Sequence, residues 1–147
     1  MIFTKNSIYT LPVEAIVNII DCNGHFEVNK SGFAIKANFP MNYMRVKETG
    51  ENGLIKVNKA MPLIENNTLV INLPLREKFE TVVTLNDVKT ALEVIKKVVL
   101  EENVQSIAIP PLGIEDLAWE DIKKAIEVEF GLSGRKVYVI KPRGSEC

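Results

Sequence analysis

Histidine and cysteine are nearly missing from this sequence, with one His and two Cys in 147 residues. A zinc site built from such ligands needs about four of them, and only Cys22, His25 and Cys147 exist. Cys22 and His25 lie close enough to suggest a metal pair. A small buried Cys beside a loop His is the simpler reading, and no metal is expected. A Ser-His-Asp triad would have to use His25, and no G-x-S-x-G elbow is present. Two cysteines imply no disulfide framework, which fits a reducing compartment. Glycine is also scarce, at 8 residues, and neither a Walker A loop nor a G-x-G-x-x-G fingerprint occurs. No charge sign dominates: 18 basic and 19 acidic side chains leave a net charge of −1. That balance predicts no direct binding to a nucleic-acid backbone and no anionic-lipid partner. No stretch approaches the ~18 apolar residues of a membrane span. The N-terminus lacks a charged segment followed by an apolar one, so a cytoplasmic protein is expected.

What is present reads as an ordinary globule, 46% hydrophobic and 25% charged. The length suits one domain over residues 1–147 with a core of its own. Strand-like and helix-like runs alternate. Ile2 and Phe3 start an edge strand, and residues 13–20 form an apolar, β-branched buried strand. Asp21-Cys22-Asn23-Gly24 is a turn, and residues 25–31 are polar loop. Gly32 to Ala37 opens a short helix stopped before Pro40, which itself suits the first turn of a helix reaching Glu48. Residues 49–53 break that helix. Leu54–Val57 and Ala60–Ile64 read as two short strands, and Leu69–Leu73 as a buried one. Residues 74–83 read as loop. Thr84 and Asp87 form a capping box. Val88, Ala91, Leu92, Ile95, Val98 and Val99 then lie on one helical stripe. A strand at 106–109 ends in Pro110-Pro111-Leu112-Gly113. The next helix carries Trp119, Ile122, Ile126 and Phe130 and stops at Gly131, before a last strand at 136–140. This alternation predicts a layered α/β fold, whose ligands bind outside the carboxyl ends of the strands.

Four segments carry a resemblance. They are Ala15-Ile-Val-Asn-Ile-Ile-Asp-Cys-Asn-Gly24, Gly32-Phe-Ala-Ile-Lys36 with Phe39-Pro40, Val70-Ile-Asn-Leu-Pro74, and Ser106-Ile-Ala-Ile-Pro-Pro-Leu-Gly113 with Trp119. In this order they resemble the macrodomain family, in the branch of the DNA ADP-ribosyl glycohydrolase antitoxins and related ADP-ribosyl-acceptor hydrolases. The resemblance implies a three-layer α/β/α fold with a mixed, mostly parallel central sheet. It implies ADP-ribose, or an ADP-ribosylated macromolecule, as the partner, and no cofactor.

Mapped onto this chain, the resemblance assigns ligand contacts to Ser7, Cys22, Gly24, Gly32, Phe33, Ala34, Pro74, Pro111, Leu112, Gly113 and Ile114. It assigns chemistry to Asp21, Arg76 and Glu115. Several positions depart from the family. Asn6-Ser7 replaces a Gly-Asp pair, and a hydroxyl is a lesser acceptor than a carboxylate. Asp21 replaces an Asn near the distal ribose. Arg76 replaces a nucleophilic Lys, and a guanidinium that stays protonated cannot attack an anomeric carbon. Lys78 is a remote substitute; alternatively residues 76–78 are a solvated charged loop. Glu115 and Asp116 come after Gly113 where the family has more glycine, and they also read as acids at a helix start. Gly24, Gly32 and Gly113 fall at ligand loops, whereas Gly50 and Gly53 fall in a turn away from the site. Two readings stay open. One is a macrodomain that binds ADP-ribose and removes it from a target. The other is a non-enzymatic descendant used for protein contact.

Overall fold

A computed structural model describes residues 1–143. Cys147 lies outside the described residues.

The strands are β1 (Ile2–Thr4), β2 (Ala15–Asp21), β3 (Met61–Glu65), β4 (Thr68–Arg76), β5 (Ser106–Ile109) and β6 (Lys136–Ile140). The helices are α1 (Lys30–Asn38), α2 (Pro40–Glu51), α3 (Leu85–Glu101) and α4 (Trp119–Phe130), and a 3-10 turn spans Ile8–Thr10. One six-stranded sheet has the order β1-β6-β5-β2-β4-β3. All neighbours are parallel except β3, which pairs antiparallel with β4. The sheet is therefore mixed and mostly parallel.

Alternation along the buried strands builds the layers. In β2, Ala15, Val17 and Ile19 join one core cluster with α3 and α4. Ile16 and Ile20 face the opposite cluster, with Ile35 of α1 and Val46 of α2. A strand covered on both faces has to be apolar throughout, and this one is, apart from Asn18 and Asp21. α3 buries Val88, Ala91, Leu92, Ile95 and Val99. Its capping box is closed by Thr84 and Asp87, each side chain accepting the other's backbone N–H at 3.1 and 2.8 Å.

Several expectations need correction. Leu54–Val57 is not a strand: Ile55 is buried in the second cluster while Leu54 and Val57 stay exposed. Asn58, at φ 61°, then turns the chain toward β3. α1 starts two residues before Gly32, capped by the Asn29 side chain, which accepts the Gly32 N–H at 2.8 Å. α2 continues to Glu51, so Gly50 sits in a helix rather than a turn. A Cβ on Gly50 would lie 2.4 Å from the Asn23 backbone, so this glycine lets α2 close on the loop after β2. β4 runs through Pro74 to Arg76, and the loop starts later than expected. Pro74 is tolerated because β3 pairs only as far as Asn72, and the β2 register shifts immediately beyond it. α4 starts at Trp119, so Glu115 and Asp116 precede it in a separate turn. Among the described residues, no helix is long and apolar enough to cross a membrane.

Candidate functional site

Five parallel strands end on one edge of the sheet, the edge where open α/β sheets bind ligands. Two different places form along it.

The first lies at the ends of β2 and β4. Ile20 pairs with Pro74, then a bulge skips Leu75 and sets Asp21 opposite Arg76. Such a bulge re-aims the next side chain. After Asp21 the chain folds back on β2: Asp21 N–H donates to His25 O and Glu27 N–H to Ile19 O, each at 3.1 Å. Asp21 itself fastens this hairpin. Its Oδ1 accepts the Asn23 and His25 N–H groups at 2.9 Å, and its Oδ2 faces His25 Nδ1 at 3.1 Å. Gly24, at φ 80°, lets the turn close on α2, where a Cβ would lie 2.7 Å from Val46 O.

The hairpin brings Glu27 onto Arg76. Arg76 Nη2 reaches Glu27 Oε1 at 3.3 Å and Oε2 at 3.4 Å, and Nη1 reaches Asp116 Oδ2 at 3.4 Å. Asp116 also accepts the Val83 N–H at 2.9 Å. Arg76 is 4% exposed and Glu27 6%. Arg76 is thus no solvated loop residue. Burial pushes the Glu27 carboxyl up from its ordinary 4.5; Arg76 opposes that shift, while Glu115 and Asp116 add to it. Glu27, Asn18, Gly32 and Pro111 meet around a crevice with no room for a water molecule.

The second place lies beyond the ends of β1, β5 and β6. It is an open cleft of about 790 Å³, within the size range of small-molecule sites. Lys5, Lys30, Lys141 and Arg143 line it, and no acidic side chain among the described residues does. Its apolar surface includes Phe33, which is 59% exposed. Ser31, at the start of α1, lines both the crevice and the cleft.

Of the residues predicted from sequence, Phe33 and Pro111 line the cleft, and Gly32 and Pro111 the crevice. Gly32 packs so tightly that a Cβ would lie 2.0 Å from Glu27 O. Ala34 is half-buried against α1's core cluster. Ser7 enters the 3-10 turn, its carbonyl accepting from Thr10 N–H at 3.1 Å. Cys22 is buried; desolvation first, then Glu77, pushes its thiol up to about 11, so it stays neutral. Pro74 lies inside β4. Leu112 is buried in the α3–α4 core, and Ile114 packs against it. Gly113, at φ 71°, sits against Val83 and Val88. Arg76 meets Glu27 directly, Glu115 stays exposed and acts on Glu27 only through its charge, and Asp21 spends its carboxylate on the hairpin.

Sequence reasoning missed Glu27, Ser31 and the four cations of the cleft. The signal for Lys30 and Ser31 was their place just before Gly32, at a helix start. Asn18 and Asn72 were also missed, although each interrupts an apolar strand run. They pair at 2.9 Å, and Asn72 Nδ2 donates to Asn42 Oδ1 of α2 at 2.7 Å.

No family model matches the chain. It is 28% identical to the DNA ADP-ribosyl glycohydrolase of Thermus aquaticus over 150 aligned residues, 95% of this chain. The chain spans only 41% of the length of that relative. The solved macrodomain of Thermus aquaticus DarG superposes with a TM-score of 0.84 at 25% identity, over 96% of this chain and 97% of that one. Thermosipho africanus DarTG in complex with ADP-ribose superposes with a TM-score of 0.81 at 14% identity, over 99% of this chain and 42% of that one. The chain folds as a macrodomain and resembles the DNA ADP-ribosyl glycohydrolase branch of that fold.

Proposed function

We propose that the protein binds ADP-ribose, free or attached to a macromolecule, in the open cleft. The observation that carries this reading is the cleft itself: about 790 Å³ at the carboxyl edge, with cationic walls and an exposed Phe33. The first turn of α1 offers backbone N–H groups and the Ser31 hydroxyl to a diphosphate. Phe33 offers a stacking face for a base. A structure of the same fold is described as a complex with ADP-ribose. Titration calorimetry with ADP-ribose tests the proposal. Saturable binding is expected, weakened in Lys30→Ala and Phe33→Ala. No binding at millimolar ligand would overturn it.

A second reading is removal of ADP-ribose from a modified macromolecule, the activity in a relative's name. Glu27 is the observation that favours it, because burial holds a proton on this carboxyl more firmly than usual. Arg76 speaks against it: locked to Glu27 and Asp116, it offers no amine nucleophile. We therefore favour recognition over hydrolysis. Incubation with an ADP-ribosylated oligonucleotide separates the two. Retention of the modification fits recognition, and release that Glu27→Gln abolishes would establish hydrolysis. A cytoplasmic setting belongs to the same proposal and fits the free, buried Cys22 thiol.

A further inference from the structure

An unbroken chain of contacts joins the Arg76 cluster to the start of α1. Arg76 Nη2 holds the Glu27 carboxyl at 3.3 and 3.4 Å. The Glu27 carbonyl accepts the Asn29 N–H at 3.0 Å. Asn29 then fastens the helix start twice, its Oδ1 accepting the Gly32 N–H at 2.8 Å and its carbonyl the Phe33 N–H at 2.9 Å. Gly32 also lies so close to the Glu27 carbonyl that a Cβ would not fit between them. Lys30, Ser31 and Phe33, which line the cleft, all belong to this stretch. A shift of Glu27 therefore shifts a wall of the cleft.

Glu27 is also crowded by charge. It faces Arg76 from β4, and Glu115 and Asp116 from the turn before α4. On its own hairpin, the Asp21 carboxylate is turned to His25 and to backbone N–H groups. Burial favours a proton on Glu27; Arg76 opposes it, and Glu115 and Asp116 add to it. A diphosphate at the first turn of α1 brings further negative charge to a wall that cleft and crevice share through Asn29 and Ser31. The crevice has no room for a water molecule, so that charge is little screened.

We propose that Glu27 is a positioning residue for the cleft, and that binding of a diphosphate there is coupled to uptake of a proton by the Glu27 carboxyl. The proton comes from solvent, and neutral Glu27 still accepts from Arg76 through its carbonyl oxygen. This rests on the ADP-ribose reading above and adds how that site is regulated. By reciprocity, affinity falls as pH rises through the range where Glu27 titrates, which lies above its ordinary 4.5.

The test is calorimetric titration of the full chain with ADP-ribose, at intervals from pH 5 to pH 8 and in two buffers of different ionisation enthalpy. The parent should take up protons on binding, seen as a heat that differs between the buffers, and its affinity should fall with rising pH. Glu27→Gln keeps an acceptor for Arg76 and removes the titration, so its affinity should change less with pH than the parent's. The ligand and all other groups are common to both proteins, so the difference belongs to Glu27. Glu27→Ala removes the tether and should bind at least about fivefold more weakly than Glu27→Gln at every pH. Thermal melting checks that each variant is folded; if Glu27→Ala is not, the comparison of parent with Glu27→Gln still decides. Proton release on binding, or one pH profile for parent and Glu27→Gln, overturns the inference and leaves ADP-ribose binding standing. Equal affinity of folded Glu27→Ala and Glu27→Gln overturns the positioning role in the same way. Absence of binding by the parent overturns both readings.

Discussion

The two places on the sheet edge share their scaffold and differ in the path the chain takes on leaving each strand. After β2, the chain returns as a hairpin over its own strand, pinned by Asp21 and pressed onto α2 through Gly24 and Gly50. That return fills the β2–β4 end with a charged side chain and its counter-ions. After β1 and β6 the chain leaves the edge, and the space between them and α1 stays open. The closed place holds one cation between two carboxylates; the open place holds four cations and no acid among the described residues. Charge in the first serves cohesion, because it is desolvated and partnered. Charge in the second is free to meet a ligand.

The largest effect should come from breaking the closed place. Arg76→Ala leaves Glu27 buried without its cation, and removal of one partner from a buried pair typically costs about 3 kcal/mol or more. Chemical denaturation at pH 7 measures it. The loss should shrink in acid, where Glu27 takes up a proton. A loss within the ~0.5 kcal/mol of a surface change would mean that the ion-pair cluster is not cohesive.

With Ser31, which lines both places, just before it and Phe33 of the open cleft just after it along α1, Gly32 lines the closed crevice. A Cβ there would collide with the Glu27 carbonyl at 2.0 Å, and a backbone atom has no easy way to yield. Gly32→Ala should cost about 2 kcal/mol of stability. It should also weaken ADP-ribose binding, because the start of α1 moves with it. If stability falls and binding does not, the two places are mechanically separate.

The framework of this comparison was legible in sequence, while its contents were not. The α3 stripe and the apolar runs of β2 and β4 are local patterns, and one window of residues shows them. Pro40 at a helix start is local too. Leu54–Val57 misled because an apolar run does not say whether a partner strand is free, and β3 already forms that edge. Arg76 misled for another reason. A triplet of charges reads as loop, and only the bulge between Ile20–Pro74 and Asp21–Arg76 turns the first of them inward. Glu27 hides in a polar run because its burial depends on a hairpin closing over a distant strand. Lys5 and Lys141 come from opposite ends of the sequence and meet only through β1–β6 pairing.

In the open place, Phe33→Ala should lower ADP-ribose affinity about tenfold, as expected for losing one aromatic stacking partner. Its stability should change by no more than about 0.5 kcal/mol, since the ring is more than half exposed. This is the converse of Arg76→Ala, and calorimetry paired with melting checks both halves. A large stability loss with intact binding would reverse the assigned roles.

The smallest effect concerns how pH acts on the closed place. Burial raises the folded-state pKa of Glu27 above its ordinary 4.5 even with Arg76 beside it. The folded protein therefore holds that proton more tightly than the unfolded chain does. The resulting stabilisation is fully present below about 4.5 and is lost as pH rises through the raised value. Glu27→Gln removes this titration while keeping the shape of the side chain. The variant should then gain on the parent with rising pH, whatever the offset at the acid end. Denaturant midpoints taken at intervals from pH 4 to pH 8 measure the difference. A parent that gains on Glu27→Gln as pH rises would mean that Arg76 outweighs burial. The closed place would then be an attractive ion pair instead of a desolvated acid held in place by its fold.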